Sequence, residues 1–340
     1  NLYIDGILEK TAAGVNPTLN SVDFIMGAMS QNTYIPYNYY NGYADELRIW
    51  NTSLTVDQIR QLMNQEIMND GNGNVKGVIV PKNISGLSWN NLSGYYQMNR
   101  ASDISNGYLV DKSGNTKNGK LKGIYIQEPD TAPLPYTSST DGSWETDATW
   151  TNYPVWDVPN SFGLDGETKI DWNIVKTSHT ITSNGNKTVL GLLVESNTLS
   201  AVNDSKMEIS SYLKLDGKID LVGKSQLVQT ADSDLDITSS GSLERDQQGQ
   251  SNLFNYNYWS SPVSPINTTT NNTDYSVNGV MRDGTNPAAP ANINWVGGYD
   301  GAPTSPISLA RYWLYTFDNY VNEYANWHQI QENTAIRVGQ

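Results

Sequence analysis

The stretch MEISSYLKLDGKIDLVGKSQLVQTADSDLDITSSGSL, residues 207–243, decides the fold of this chain. Its apolar residues come as doublets one residue apart: Met207/Ile209, Leu213/Leu215, Ile219/Leu221 and Leu235/Ile237, with Leu227 and Leu243 single. That spacing belongs to short strands with one face turned inward. Turn chemistry separates them, at Asp216-Gly217, Gly223-Lys224, Ala231-Asp232 and Ser239–Gly241. The same texture extends over Lys187–Gln248 and includes Leu192/Val194. Strands this short and this close suit the stacked rungs of a parallel β-solenoid, or else a tight meander, rather than a large sandwich. The spacing favours the solenoid, with Leu215 and Ile219 pointing into one narrow core.

The composition agrees with an all-β chain. Among 340 residues there are 21 Tyr and 10 Trp but only 4 Phe, and charged residues make up 16%. Short strands joined by many polar turns have this balance. The length predicts two or three domains, each burying its own core. A net charge of −14 and a pI near 4.5 argue against nucleic acid and anionic membranes as partners. No run of apolar residues is long enough for a membrane-spanning helix, so membrane insertion is not expected. Cysteine is absent, which removes disulfides and thiolate metal sites. An acidic, Asn/Thr-rich, Tyr/Trp-rich and cysteine-free chain has the composition of a bacterial surface protein.

Residues 42–67, GYADELRIWNTSLTVDQIRQLMNQEI, carry a different signal. Tyr43, Leu47 and Ile49 alternate with Ala44, Glu46 and Arg48, which predicts a half-buried strand ending at Trp50. Thr55 stands three residues before Gln58, as in a capping box, and Ile59, Leu62 and Met63 then share one face of a short helix. Together with NLYIDG (1–6) and FIMG (24–27), this closing strand and helix resemble the laminin-G-like, concanavalin-A-type jelly rolls. The resemblance implies that residues 1–70 are the C-terminal part of such a jelly roll. It also implies completion by preceding residues or another chain, and a role in binding rather than catalysis.

Asn69–Asn74 (NDGNGN) marks the next boundary. LSGYYQMN (92–99) and DKSGNTKNGKLKGI (111–124) resemble the opening of a second laminin-G-like domain, which the proline-bearing connector QEPDTAPLPYT (127–137) then interrupts. Residues 71–137 are therefore expected to be a small β-hairpin unit with a connector. Residues 138–250 form a Trp-rich, short-strand region, in which the even spacing of Trp144, Trp150 and Trp156 places three indoles on one face of an extended chain. Residues 251–340 are a terminal, sandwich-like β unit whose strongest strand is Ala310–Phe317, apolar on both faces and so expected to be central. Both ends of the chain are expected to be cut. The text of residues 138–340, from SWETDATW through FNYNYWSS to RYWLYTF, resembles the C-terminal regions of Bacteroidetes gliding-type adhesins exported by type IX secretion.

Several constellations bear on chemistry. Only His179 and His328 are available to a Ser-His-Asp triad, and neither accompanies a nucleophile elbow. Glu46 is the nearest candidate for a glycosidase carboxylate, on a strand that the laminin-G resemblance makes structural. Calcium is the one cofactor that the acidic residues suggest. Asp232, Asp234 and Asp236 recur every second residue, as three carboxylates on one strand face would, while Asp103 and Asp111 are weaker ligands. Asp130-Thr131-Ala132 fits the short Bacteroidetes O-glycosylation pattern, with Thr131 as acceptor. In TYIPYNYYNGY (33–43), Tyr34, Tyr37, Tyr39 and Tyr40 stand beside Asn32, Asn38 and Asn41. Rings and amides together suit a sugar, whose C–H groups meet the ring and whose hydroxyls meet the amide. An interface with a neighbouring domain would use the same tyrosines.

The function expected from these readings is that of a non-enzymatic, extracellular adhesin at the cell surface. Its partners would be glycans or surface polymers, outer-membrane secretion or anchoring proteins, and flanking parts of the same longer chain. The alternative is a carbohydrate-binding region of a secreted polysaccharide-degrading enzyme.

Overall fold

In the computed structural model the chain is all-β, 35% strand and 9% helix, and contains a β-solenoid of about four turns. The structure describes residues 1–14, 23–30, 36–250, 252, 255–262, 264, 274–317 and 326–340. These fall into two compact units, residues 1–176 with 188–191 and residues 177–187 with 192–340. Among the described residues no helix is long and apolar enough to cross a membrane.

The first unit is organised around the segment that carries the capping box. Thr55 Oγ1 accepts from the Gln58 N–H at 3.2 Å, and Gln58 Oε1 accepts from the Thr55 N–H at 3.0 Å, starting the helix Val56–Met63. Leu62 is buried while Ile59 and Met63 are half-buried. Leu62 joins Ile67, Val75, Ile84, Leu87, Leu92 and Tyr95 in a core covered by Trp50, Leu54 and Trp89. The strand before the helix is shorter than its alternation predicts. It runs Leu47–Trp50, antiparallel to Leu92–Tyr96, because Glu46 takes a left-handed φ of 51° and Tyr43 lies exposed. Nearer the N-terminus, Leu2–Ile4 with Ile7–Lys10 and Met29–Ser30 with Pro36–Tyr37 are separate two-stranded pairs, and Leu2, Leu8, Phe24 and Met29 are largely exposed.

A buried polar knot ties the strand to the helix end. Arg48 donates from Nη1 to the Leu62 carbonyl and from Nη2 to the Gln65 carbonyl, both at 2.6 Å, and pairs with the Glu46 carboxylate. It thereby satisfies the Leu62 carbonyl, which the helix C-terminus leaves open, and that of Gln65 just beyond the helix. The Tyr95 hydroxyl donates to Glu46 at 2.9 Å, with the Arg48 guanidinium 5.5 Å above its ring. Burial pushes the Tyr95 phenol up to about 12, with the Glu46 charge adding to the rise and Arg48 opposing it. Because this lies above the ordinary 10.0, the stabilisation is intact below pH 10 and is lost as pH rises toward 12. The loss should reach at most about 2 to 3 kcal/mol. Alkaline unfolding compared between the parent and Tyr95→Phe should show a weaker pH dependence in the variant, the remainder coming from Tyr96, Tyr136 and Tyr212, whose phenols burial also raises.

The aspartate of the DKSGN turn is committed to the fold. Burial raises the Asp111 carboxyl, but hydrogen bonds from Ser113, Lys117 and Tyr95 outweigh it and hold the group below the usual carboxylate range. Asp103 likewise accepts from the Val110 N–H. The tryptophan spacing leads elsewhere than one face of an extended chain. A 3-10 turn at Asp147–Thr149 folds the segment back, so Trp144 and Trp150 meet edge to face at 5.2 Å, both buried, while Trp156 is exposed. Trp150 Nε1 donates to the Trp144 carbonyl and Trp144 Nε1 to the Pro159 carbonyl, so neither buried donor is wasted.

In the second unit most of the apolar doublets are rungs of the solenoid; Leu235/Ile237 holds only in part, because the strand there is Asp234–Leu235 and Ile237 beyond it is 63% exposed. Strands Ile181–Asn184, Thr198–Val202, Lys218–Leu221 and Ser242–Arg245 stack in parallel register, placing Ile181, Leu199, Ile219 and Leu243 in one column. The parallel order excludes the meander. Lys206–Leu215 likewise pairs with Gln226–Gln229 and Asp234–Leu235, setting Met207 beside Leu227 and Leu213 beside Leu235. Ile181, Leu199, Met207, Ile209, Leu213 and Ile219 are essentially without solvent contact. The corner between the columns is built of backbone on backbone. Lys218 N donates to the Asn197 carbonyl at 2.8 Å and Ser242 N to the Gly217 carbonyl at 3.0 Å, and a Cβ at Gly217 would come 2.7 Å from the Asn197 oxygen. Only glycine lets the coils approach this closely.

The expected central strand at Ala310–Phe317 does not form as one element. Ser308–Ala310 is a strand, Arg311–Trp313 is a 3-10 turn and Tyr315–Phe317 is a second strand. The break coincides with the Arg311 guanidinium, which binds Glu332 and the Trp295 carbonyl and so fixes the chain at the turn. The aromatic side chains of the segment consequently stay near the surface, Trp313 at 59% exposure.

Candidate functional site

That broken strand shapes a shallow, open cleft in the second unit. Asn294–Val296 pairs in parallel with Ser308–Ala310, and Tyr315–Phe317 pairs antiparallel with Trp327–Gln329. Between these pairs the chain turns twice. Gly297-Gly298, with Gly298 at φ 83°, brings Tyr299 back toward the 3-10 turn, where its ring meets Tyr312 edge to face at 4.6 Å. Tyr312 in turn meets Trp313 at 4.9 Å, and Trp313 Nε1 donates to the Tyr299 carbonyl at 2.7 Å. Gly298, Tyr299, Arg311, Tyr312, Gln329 and Gln331 line a volume of about 300 Å³.

The polar part of the lining is held in place. Arg311 Nε and Nη2 each donate to the Glu332 carboxylate at 3.0 Å, and Nη2 also to the Trp295 carbonyl at 3.0 Å. The Arg311 hydrogen bonds keep the Glu332 carboxyl below the usual carboxylate range, so the carboxylate stays ionised through neutral pH. Gln329 Nε2 donates to the Tyr312 carbonyl at 2.8 Å. Aromatic rings, two carboxamides and a guanidinium thus converge on one concavity. The chemistry they offer is stacking and hydrogen bonding.

No protein-family model, curated protein or solved structure matches this chain.

The residues singled out in the sequence lie apart from this cleft in the chain. Tyr34 lies outside the described residues. Tyr37 is half-buried opposite Met29, whereas Tyr39 and Tyr40 are 68% and 65% exposed. Asn38, at φ 50°, turns its amide to the Met29 sulfur at 3.6 Å. Two rings of the tyrosine loop therefore reach solvent. The proposed calcium triad is not brought together. Asp232 sits in a turn and only Asp234–Leu235 is strand, so the alternation that would align the carboxylates does not persist. Asp236 accepts from the Thr238 N–H and hydroxyl at 2.7 and 2.6 Å and from the Tyr212 hydroxyl. Among the described residues no three acidic or histidine side chains form a group able to hold a metal ion. Thr131 is half-buried beside an exposed Asp130. Glu46 belongs to the knot with Arg48 and Tyr95, and burial raises its carboxyl despite the opposing Arg48 charge.

Sequence reasoning passed over Tyr299, Arg311, Tyr312 and Trp313 because it assigned the last three to a central strand. Two signals pointed to them: aromatic residues on both faces of a strand with few apolar partners left to cover them, and the GGYDG turn at 297–301 upstream.

Proposed function

We propose that this chain is a non-enzymatic, carbohydrate-binding region of a bacterial cell-surface adhesin. The observation that carries the reading is the cleft at Tyr299, Arg311, Tyr312 and Gln329, in which exposed rings stand beside fixed hydrogen-bonding groups. A pyranose presents an apolar C–H face ringed by hydroxyls, and this lining is complementary to both. The acidic composition, the absence of cysteine and the resemblance of residues 138–340 to gliding-type adhesins support an extracellular, outer-membrane-associated location. They likewise support secretion or anchoring proteins of that membrane as partners.

Glycan-array binding and titration calorimetry test the reading. Tyr312→Ala should weaken glycan binding by roughly tenfold or more, the loss of one stacking contact, with the thermal transition kept within a few degrees. The double variant Tyr37→Ala, Tyr39→Ala measures what the tyrosine loop adds. Absence of glycan binding by the parent would defeat the proposal, and fractionation that left the native protein in the cytoplasm would defeat its location.

A further inference from the structure

We infer that the cleft is one subsite of a longer strip that binds a neutral polysaccharide along its chain, with Phe317 and Trp327 forming the next subsite. The inference rests on the carbohydrate reading above and adds the length and charge of the ligand. Cross-strand register supplies the geometry. Tyr315 lies opposite Gln329 and Phe317 opposite Trp327. Directly opposed residues share a face, as do residues two apart on one strand, so Tyr315, Phe317, Trp327 and Gln329 project from the same side of the hairpin. Gln329 is already part of the cleft lining, which makes this face its continuation. Successive same-face positions lie roughly 6.7 Å apart, so the rings and the amides are spread along the hairpin.

The far end of that face is aromatic. Phe317 and Trp327 meet at 4.9 Å with their planes tilted by 45°, and Tyr256 stacks on Trp327 at 6.3 Å and 22°. Phe317 and Trp327 are 39% and 36% exposed and Tyr256 is 72% exposed, so ring surface remains for a ligand. Rings at one end and amides with a guanidinium at the other match a chain of sugars better than a single one.

Charge decides between neutral and acidic chains. Arg311 is the one cationic residue of the cleft lining, and Glu332 already neutralises it through two hydrogen bonds. Nη1 is left to donate to a ligand, which suits an uncharged hydroxyl pair. A carboxylate arriving there would meet the Glu332 charge at close range, on a protein of net charge −14.

Titration calorimetry on the intact chain would use neutral gluco- and manno-oligosaccharides from monosaccharide to hexasaccharide, alongside oligogalacturonates of equal length. Affinity for the neutral series should rise by about tenfold or more from the shortest to the longest. Trp327→Ala should abolish that rise while keeping the thermal transition within a few degrees of the parent, which shows that the unit is still folded. Trp327→Phe, which keeps a ring, should retain most of the rise. Oligogalacturonates should bind at least about tenfold more weakly than neutral chains. A length dependence that survives Trp327→Ala, or acidic chains that bind as tightly as neutral ones, would overturn the inference and leave the single cleft standing. Absence of binding by every neutral sugar would overturn the underlying reading as well.

Discussion

Ile219→Asp is expected to unfold the solenoid under conditions in which the parent is fully native. Ile219 has no solvent exposure and stands in the column Ile181, Leu199, Ile219, Leu243, with a coil on either side. The substitution removes a buried aliphatic side chain, a loss of about 2 to 5 kcal/mol for truncation alone, and adds a carboxylate with no partner in the column. A total of at least about 4 kcal/mol is comparable with the whole stability of an ordinary domain. Thr182→Ala, on the outward face of the first of these strands, should stay within about 0.5 kcal/mol. Urea denaturation followed by circular dichroism separates the two. An Ile219→Asp protein that melts like the parent would mean that the column is not a core.

The second large effect is expected at Arg48→Met, in the first unit. Arg48 and Glu46 side chains are each only 9% exposed, and removing the cation strands the carboxylate together with the Leu62 and Gln65 carbonyls. Breaking one side of a buried pair costs about 3 to 5 kcal/mol. The pH dependence has a definite sign. The folded Glu46 carboxyl is already raised, chiefly by burial, with Arg48 the largest opposing influence. A raised carboxyl contributes stability that is present at low pH and is lost as pH rises through its folded value. Without Arg48 that value climbs further, so the deficit of the variant should be largest at neutral pH and shrink as the solution is acidified toward about pH 4. Adding Glu46→Gln to Arg48→Met should recover part of the neutral-pH loss. A deficit that does not change with pH would show that packing, rather than the stranded charge, accounts for it.

These two sites differ in how far the sequence reveals them. The solenoid was legible because its cause is local: doublets such as Ile219/Leu221, bounded by Asp216-Gly217 and Gly223-Lys224, repeat often enough to set strand length and turn position. The capping box at Thr55 and Gln58 was legible for the same reason. The knot at Arg48 was not, since Glu46 joins it through a left-handed backbone angle that alternation does not encode, and Tyr95 comes from a strand 49 residues away. The tryptophan spacing misled because periodicity fixes a face only when the chain is extended, and residues 147–149 are a 3-10 turn. The same limit hid the cleft. RYWLYTF alternates like a strand, but the ion pair of Arg311 with Glu332, 21 residues on, bends it. The acidic alternation at Asp232, Asp234 and Asp236 was similarly legible as a pattern and empty as a site, because only two residues there are extended.

Backbone-on-backbone stacking at the glycine corner gives the second unit a mechanical character. The hydrogen bonds at this corner join one coil to the next in sequence, as from Lys218 to Asn197 and from Ser242 to Gly217. Tension applied along the stack therefore loads those bonds in series and does not shear them in parallel. Ser242–Arg245 would lift from Lys218–Leu221 before Lys218–Leu221 leaves Thr198–Val202. The column steps from Ile181 to Leu199, Ile219 and Leu243 are coils of 18, 20 and 24 residues. Each coil that peels away would release roughly 60 to 85 Å of extended chain. Pulled from its ends, such a stack yields one coil at a time, turning load into reach, and rewinds from the coils that remain.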